Sequence, residues 1–96
     1  MIVYLTAVVK SKPGKSELLK SLLFELVSHS IKENACLQYE LHQSSDDENV
    51  FIFHEEWAST EGLALHNSQP HLKAFVEKSA GILDGGFNIY KTNKIS

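Results

Sequence analysis

Hydrophobic positions along this chain switch between two spacings, every second residue and every third or fourth, and the switches mark out its elements. From Ile2 to Lys10 β-branched residues and Tyr4 dominate, with Val3, Leu5, Ala7 and Val9 opposite Tyr4, Thr6 and Val8, which predicts a first strand. Pairing should stop at Ser11-Lys12-Pro13-Gly14, where Pro13 lacks an amide donor and Gly14 accepts unusual dihedrals. From Lys15 to about Glu33 the spacing lengthens. Leu18, Leu19, Leu22, Leu23, Leu26, Val27 and Ile31 form one apolar stripe, with Lys15, Lys20, Glu25 and Lys32 mostly off it, so a helix is predicted that stops at Asn34. Cys36 to Gln43 alternates again, Leu37, Tyr39 and Leu41 against Gln38, Glu40 and His42: a half-buried strand.

The polar run Ser44 to Asn49 reads as a hairpin loop leading into a third strand, Val50 to Trp57. Phe51, Phe53, Glu55 and Trp57 share one side of that strand, and Val50, Ile52, His54 and Glu56 the other. Ser59 suits the N-cap of a short helix with Glu61 in its first turn. The helix should break near Asn67, and Pro70 should start another, with Leu72, Phe75, Val76 and Ser79 on its inner face. Gly81, Gly85 and Gly86 mark a loop before a last strand, Phe87 to Lys94.

The order β-α-β-β-α-β predicts one α+β domain over residues 1–96, of ferredoxin-like type: a four-stranded antiparallel sheet with its helices on one face. The second sheet face then has no cover, although the first and third strands carry apolar residues on both sides. An exposed apolar face of that kind predicts a homodimer stacked sheet on sheet. Composition agrees with a folded domain: 43% hydrophobic and 22% charged residues place the chain outside the disordered class. A net charge of −3 with no basic run argues against nucleic acid as a partner. The apolar N-terminus has no leading positive charge and is too short to span a bilayer, so no membrane role and a cytoplasmic location are expected. Cys36 is the single cysteine and cannot close an internal disulfide.

The stretch richest in chemistry is Glu55-Glu56-Trp57, then His66, then Gln69-Pro70-His71-Leu72-Lys73. In that order it resembles the antibiotic biosynthesis monooxygenase domain family, which includes quinol monooxygenases. A strand ending Glu-Glu-Trp, a His nine residues after Trp57, and a Pro-His-x-Lys run opening a helix all fit. The Lys12-Pro13-Gly14 turn and the Cys36-Leu37-x-Tyr39-Glu40 strand also match, so the likeness covers nearly the whole chain. It implies a dimeric α/β barrel that needs no metal or flavin. Such enzymes oxidise a small electron-rich aromatic or quinol-like substrate with O2 after deprotonating it. That chemistry needs an apolar pocket, a base titrating near neutrality and polar groups for the developing anion. On this chain the resemblance implies His66 as base, Glu55 orienting it, Tyr39 holding a substrate oxygen, and Trp57, Phe51, Phe53 and His71 around the substrate.

Each of these residues also has a purely structural reading. His66 one turn beyond Leu63 is equally a buried, hydrogen-bonded histidine; Trp57 and Tyr39 are equally core. Glu55 is the sharper case, since a carboxylate among Phe51, Phe53 and Trp57 is costly unless paired or solvated. Five histidines invite a metal, but none are spaced His-x-His or His-x-x-x-His, and the helix break falls between His66 and His71. Haem-degrading relatives are disfavoured, because the positions of their strand Asn and ligand His hold Ala7 or Thr6 and Phe75 or Val76. Two other readings stand beside the monooxygenase. One is an isomerase of a phosphorylated quorum-sensing signal, for which the absence of arginine removes the bidentate phosphate clamp. The other is a non-catalytic barrel that binds a small apolar molecule.

Overall fold

The computed structural model describes all 96 residues. The elements follow one another as β1 (Val3–Lys10), α1 (Ser16–Ser30), β2 (Cys36–Gln43), β3 (Val50–Trp57), α2 (Thr60–Asn67), α3 (Pro70–Ser79) and β4 (Asn88–Thr92). The sheet runs β2-β3-β1-β4 with every neighbouring pair antiparallel, the ferredoxin-like order expected. Leu5, Ala7 and Val9 on β1 and Phe51, Phe53, Glu55 and Trp57 on β3 all point to the helical side. There they meet Leu19, Leu23 and Leu26 of α1, Leu63 of α2 and Phe75 of α3 in one core. The pair Ala7–Phe53 places a small residue opposite a large one across the two central strands, and Leu5 stands opposite Glu55.

Three boundaries differ from the pattern in the sequence. The first is the end of α1, which stops at Ser30, not Glu33: Lys32 and Glu33 bond back three residues to His29 and Ser30 carbonyls, tightening the chain out of the helix. Leu18 and Ile31 accordingly face solvent, because the sheet and α3 cover only the narrower stripe centred on Leu19, Leu23 and Leu26. In β2 the register shifts between Cys36 and Gln38, so Leu37 is an extra residue turned outward while Tyr39 remains in the core. Strand β4 is shorter than expected and exposed along its length, pairing only with β1.

The expected turn between the later helices is present. Ser59 Oγ accepts the Gly62 amide at 3.0 Å, and Pro70 opens α3 at its first position. Gly62 lies against Ala35, leaving no room for a side chain: a Cβ there would overlap the Ala35 methyl group. Gly62→Ala is therefore expected to destabilise the fold by about 1–3 kcal/mol. A urea midpoint equal to the wild type would show that the loop before β2 yields freely.

Candidate active site

The site is built where the end of α1, the sheet and the α2–α3 turn converge. His66 comes from the last turn of α2 and is 3% exposed, its ring 4.4 Å from that of Trp57 and 5.6 Å from that of Tyr39. His66 and Trp57 thus lie on the same side of the sheet. Between sheet and helices lies a cavity of about 220 Å³, open at one side, lined mainly by apolar residues including Leu5, Leu26, Phe53, Leu72 and Ile89. Three titratable groups reach it: Tyr39, Glu55 and His66. Val76, largely exposed on α3, stands at its rim.

The carboxylate bonded to His66 is not Glu55, as the sequence suggested, but Glu33. Glu33 Oε2 lies 2.7 Å from His66 Nδ1 and 2.9 Å from His71 Nε2. For both rings to donate to one carboxylate oxygen, His66 carries its proton on Nδ1 and His71 on Nε2. In the neutral form of the ring Nε2 is then the acceptor nitrogen; it makes no hydrogen bond to protein, and His66 lines the cavity. The helix break brings the two histidines together: the turn at Ser68 and Gln69 folds α3 back until the rings are 6.2 Å apart. Glu33 carried no signal in the hydrophobic pattern, because helical spacing placed it at the end of α1 with no visible relation to residues more than 30 positions away.

Glu55 is engaged elsewhere. Its Oε1 accepts the Trp57 indole N–H at 2.9 Å, two residues along the same strand face. Burial pushes its carboxyl up to about 7; the Trp57 bond opposes this, and the Glu33 charge adds to it. Burial, and after it the Glu55 carboxylate, also drives the Tyr39 hydroxyl far above its ordinary range. The neighbouring Ser30 hydroxyl works the other way, although Ser30 Oγ completes no hydrogen bond of good geometry. Tyr39 is therefore a neutral O–H donor at physiological pH. Burial, then Glu33 and Glu55, raises the Cys36 thiol, which keeps it a weak nucleophile.

Of the remaining candidates only Phe53 touches the cavity. Phe51 and Trp57 are sealed in the core behind it. His71 opens instead onto a cleft with His29, Glu33 and Gln69, its ring stacked 5.5 Å from that of His29.

The raised Glu55 carboxyl has a consequence for stability. Its folded value of about 7 lies above the unbound carboxylate value of 4.5, so folding disfavours ionisation. Below pH 4.5 both states are protonated and there is no penalty; stability falls as pH rises through this window and is lower by at most about 3 kcal/mol above it. Glu55→Gln keeps an acceptor for Trp57 and cannot ionise. Relative to the wild type it should therefore gain stability between pH 5 and pH 8 in urea titrations. A difference independent of pH would place the Glu55 carboxyl in water.

Comparison with known proteins agrees with this architecture. The family model described as antibiotic biosynthesis monooxygenase matches residues 2–78. A Bacillus subtilis protein named "Putative monooxygenase YcnE" is 32% identical over 91 residues, covering 95% of this chain and 96% of that protein. The crystal structure of PA3566 from Pseudomonas aeruginosa superposes with a TM-score of 0.93 at 29% identity, covering 99% of this chain and 95% of that one. A structure named antibiotic biosynthesis monooxygenase gives a TM-score of 0.92 at 23% identity, over 98% of this chain and 99% of that one, a likeness of fold.

Proposed function

Because the chain belongs to the antibiotic biosynthesis monooxygenase family, we propose that it is a cofactor-independent monooxygenase acting on a small quinol-like or electron-rich aromatic substrate with O2. One observation carries the reading: a mainly apolar cavity is lined by Tyr39, Glu55 and His66, and the His66 ring is held by Glu33 through Nδ1, which leaves Nε2 without a protein partner. Its volume of about 220 Å³ suits one substituted aromatic ring; a cavity of ~150 Å³ holds benzene.

His66 Nε2 takes the phenolic proton of the bound quinol, and Glu33 at Nδ1 holds the ring in the required tautomer and stabilises the imidazolium that forms. Tyr39 donates to the substrate oxygen on which charge develops. The electron-rich phenolate then reduces O2 directly. One oxygen atom enters the ring and the other leaves as water, so hydroquinone plus O2 gives hydroxybenzoquinone plus water. No lysine lines the cavity and the chain has no arginine, so a phosphorylated substrate would find no cationic clamp there. The test is oxygen uptake with a panel of hydroquinones in metal-free, flavin-free buffer; absence of uptake across the panel overturns the reading.

The working unit in this proposal is a dimer stacked through the open sheet face. Tyr4, Thr6, Val8 and Ile52 on that face are only half-buried and Tyr90 is exposed, and no element of the chain lies over them. Sedimentation at micromolar concentration should give twice the 10.8 kDa chain mass. A stable single chain would discard the dimer without touching the cavity chemistry.

A further inference from the structure

We propose that Glu33, His66 and His71 form a binding site for one divalent transition-metal ion of the zinc class. Three separate segments supply the donors: the turn after α1, the last turn of α2 and the first turn of α3. One carboxylate oxygen and two imidazole nitrogens, all within 4.8 Å of one another, make an N2O set suited to zinc, with a fourth position left for water.

The geometry needs little adjustment. Tetrahedral ligands on bonds of ~2.1 Å stand about 3.4 Å apart. The two nitrogens now lie 2.7 and 2.9 Å from Glu33 Oε2, so these pairs must open by roughly 0.5–0.7 Å, while the nitrogen–nitrogen pair already lies within 4.8 Å. The donors are largely withdrawn from water, with side-chain exposures of 4% for His66, 11% for Glu33 and 16% for His71. Access comes from the outer cleft, where His29, Glu33, Gln69 and His71 form the wall. The cleft is lined by Glu33 and His71 but not His66, and the substrate cavity by His66 but neither Glu33 nor His71; the ion beside Glu33 takes Nδ1 of His66 and leaves Nε2.

This placement makes the ion a regulator of the reaction, a consequence that rests on the proposed monooxygenase reading. Metal on Nδ1 requires the ring's single proton to leave that nitrogen, and exchange with solvent returns it to Nε2, so the ring stays neutral. Nε2 is then no longer an acceptor, and the base is switched off.

Calorimetric titration of the metal-free protein with zinc chloride should show one tightly bound ion per chain. Cobalt(II) in its place should give the intense visible bands of a four-coordinate site. Even an outer-sphere partner of a metal contributes ~10–100-fold in affinity, so His71→Ala and Glu33→Gln should each weaken binding by more than about 100-fold. His54→Ala should not, because His54 and its neighbour His42 lie on the open sheet face. Failure of the wild type to bind zinc one to one, or binding unchanged in both His71→Ala and Glu33→Gln, overturns the site. These readouts need no turnover: a chain that binds zinc but consumes no oxygen keeps the site and loses the proposed activity. Oxygen uptake that zinc leaves untouched despite stoichiometric binding removes the regulatory role.

Discussion

His66→Ala should lower oxygen uptake with a responsive hydroquinone by about 10²–10⁴-fold, the range contributed by a positioned general base. The loss should fall on kcat more than on KM, because Nε2 acts on the proton in transit while the apolar walls of Leu5, Phe53 and Leu72 still hold the ring. Glu33→Gln separates this from a packing effect. It keeps the shape of the side chain but removes the charge that stabilises the imidazolium, so kcat should fall by about 10–100-fold with the fold intact. Uptake unchanged by His66→Ala would leave Glu55, whose carboxyl stands near 7 in the same cavity, as the group to test next. Unchanged uptake in Glu33→Gln alone would confine that residue to tethering the helices.

Trp57→Ala is expected to have the largest effect on stability, about 3–5 kcal/mol. The residue is wholly buried against His66 and Tyr39, and its indole N–H is the hydrogen-bond donor to Glu55. For a domain of this size the total is about 5–15 kcal/mol, so the variant should unfold tens of degrees earlier or fail to fold at 37 °C. Trp57→Phe divides the effect in two. It restores most of the packing but leaves the buried Glu55 without its donor, at a cost of about 1–3 kcal/mol. Because that bond lowers the Glu55 carboxyl, its loss should push the folded value higher still, so the fall of stability still begins near pH 4.5 but extends to higher pH and becomes deeper. A Trp57→Ala melting curve within a few degrees of the wild type would show that the ring is not packed as described.

Strand and helix order, the sheet's buried face and the helix stop at the α2–α3 turn were all legible in the chain. Each depends on local signals a few residues long: alternation at Phe51, Phe53 and Trp57, the Ser59 cap, and Pro70 without an amide donor. Leu37 is where such signals fail. Alternation assigns it to the side of Tyr39, and a single extra residue in β2, set by pairing with β3, turns it outward.

The site divides along the same line. Glu55 could be singled out from position alone, since a carboxylate on an aromatic strand face is an anomaly visible in one dimension, whereas Tyr39 and His66 stood out through the family resemblance of the segments that carry them. Which carboxylate meets which ring could not be read from either. Glu33 reaches His66 and His71 across 33 and 38 residues because α1 ends early and α3 folds back on α2. Glu55 turns to Trp57 because both project from one strand face. Spacing along a chain fixes the direction of a side chain relative to its own backbone. Hydrogen bonds between segments depend on how whole elements pack, and that was decided only when the helices settled on the sheet.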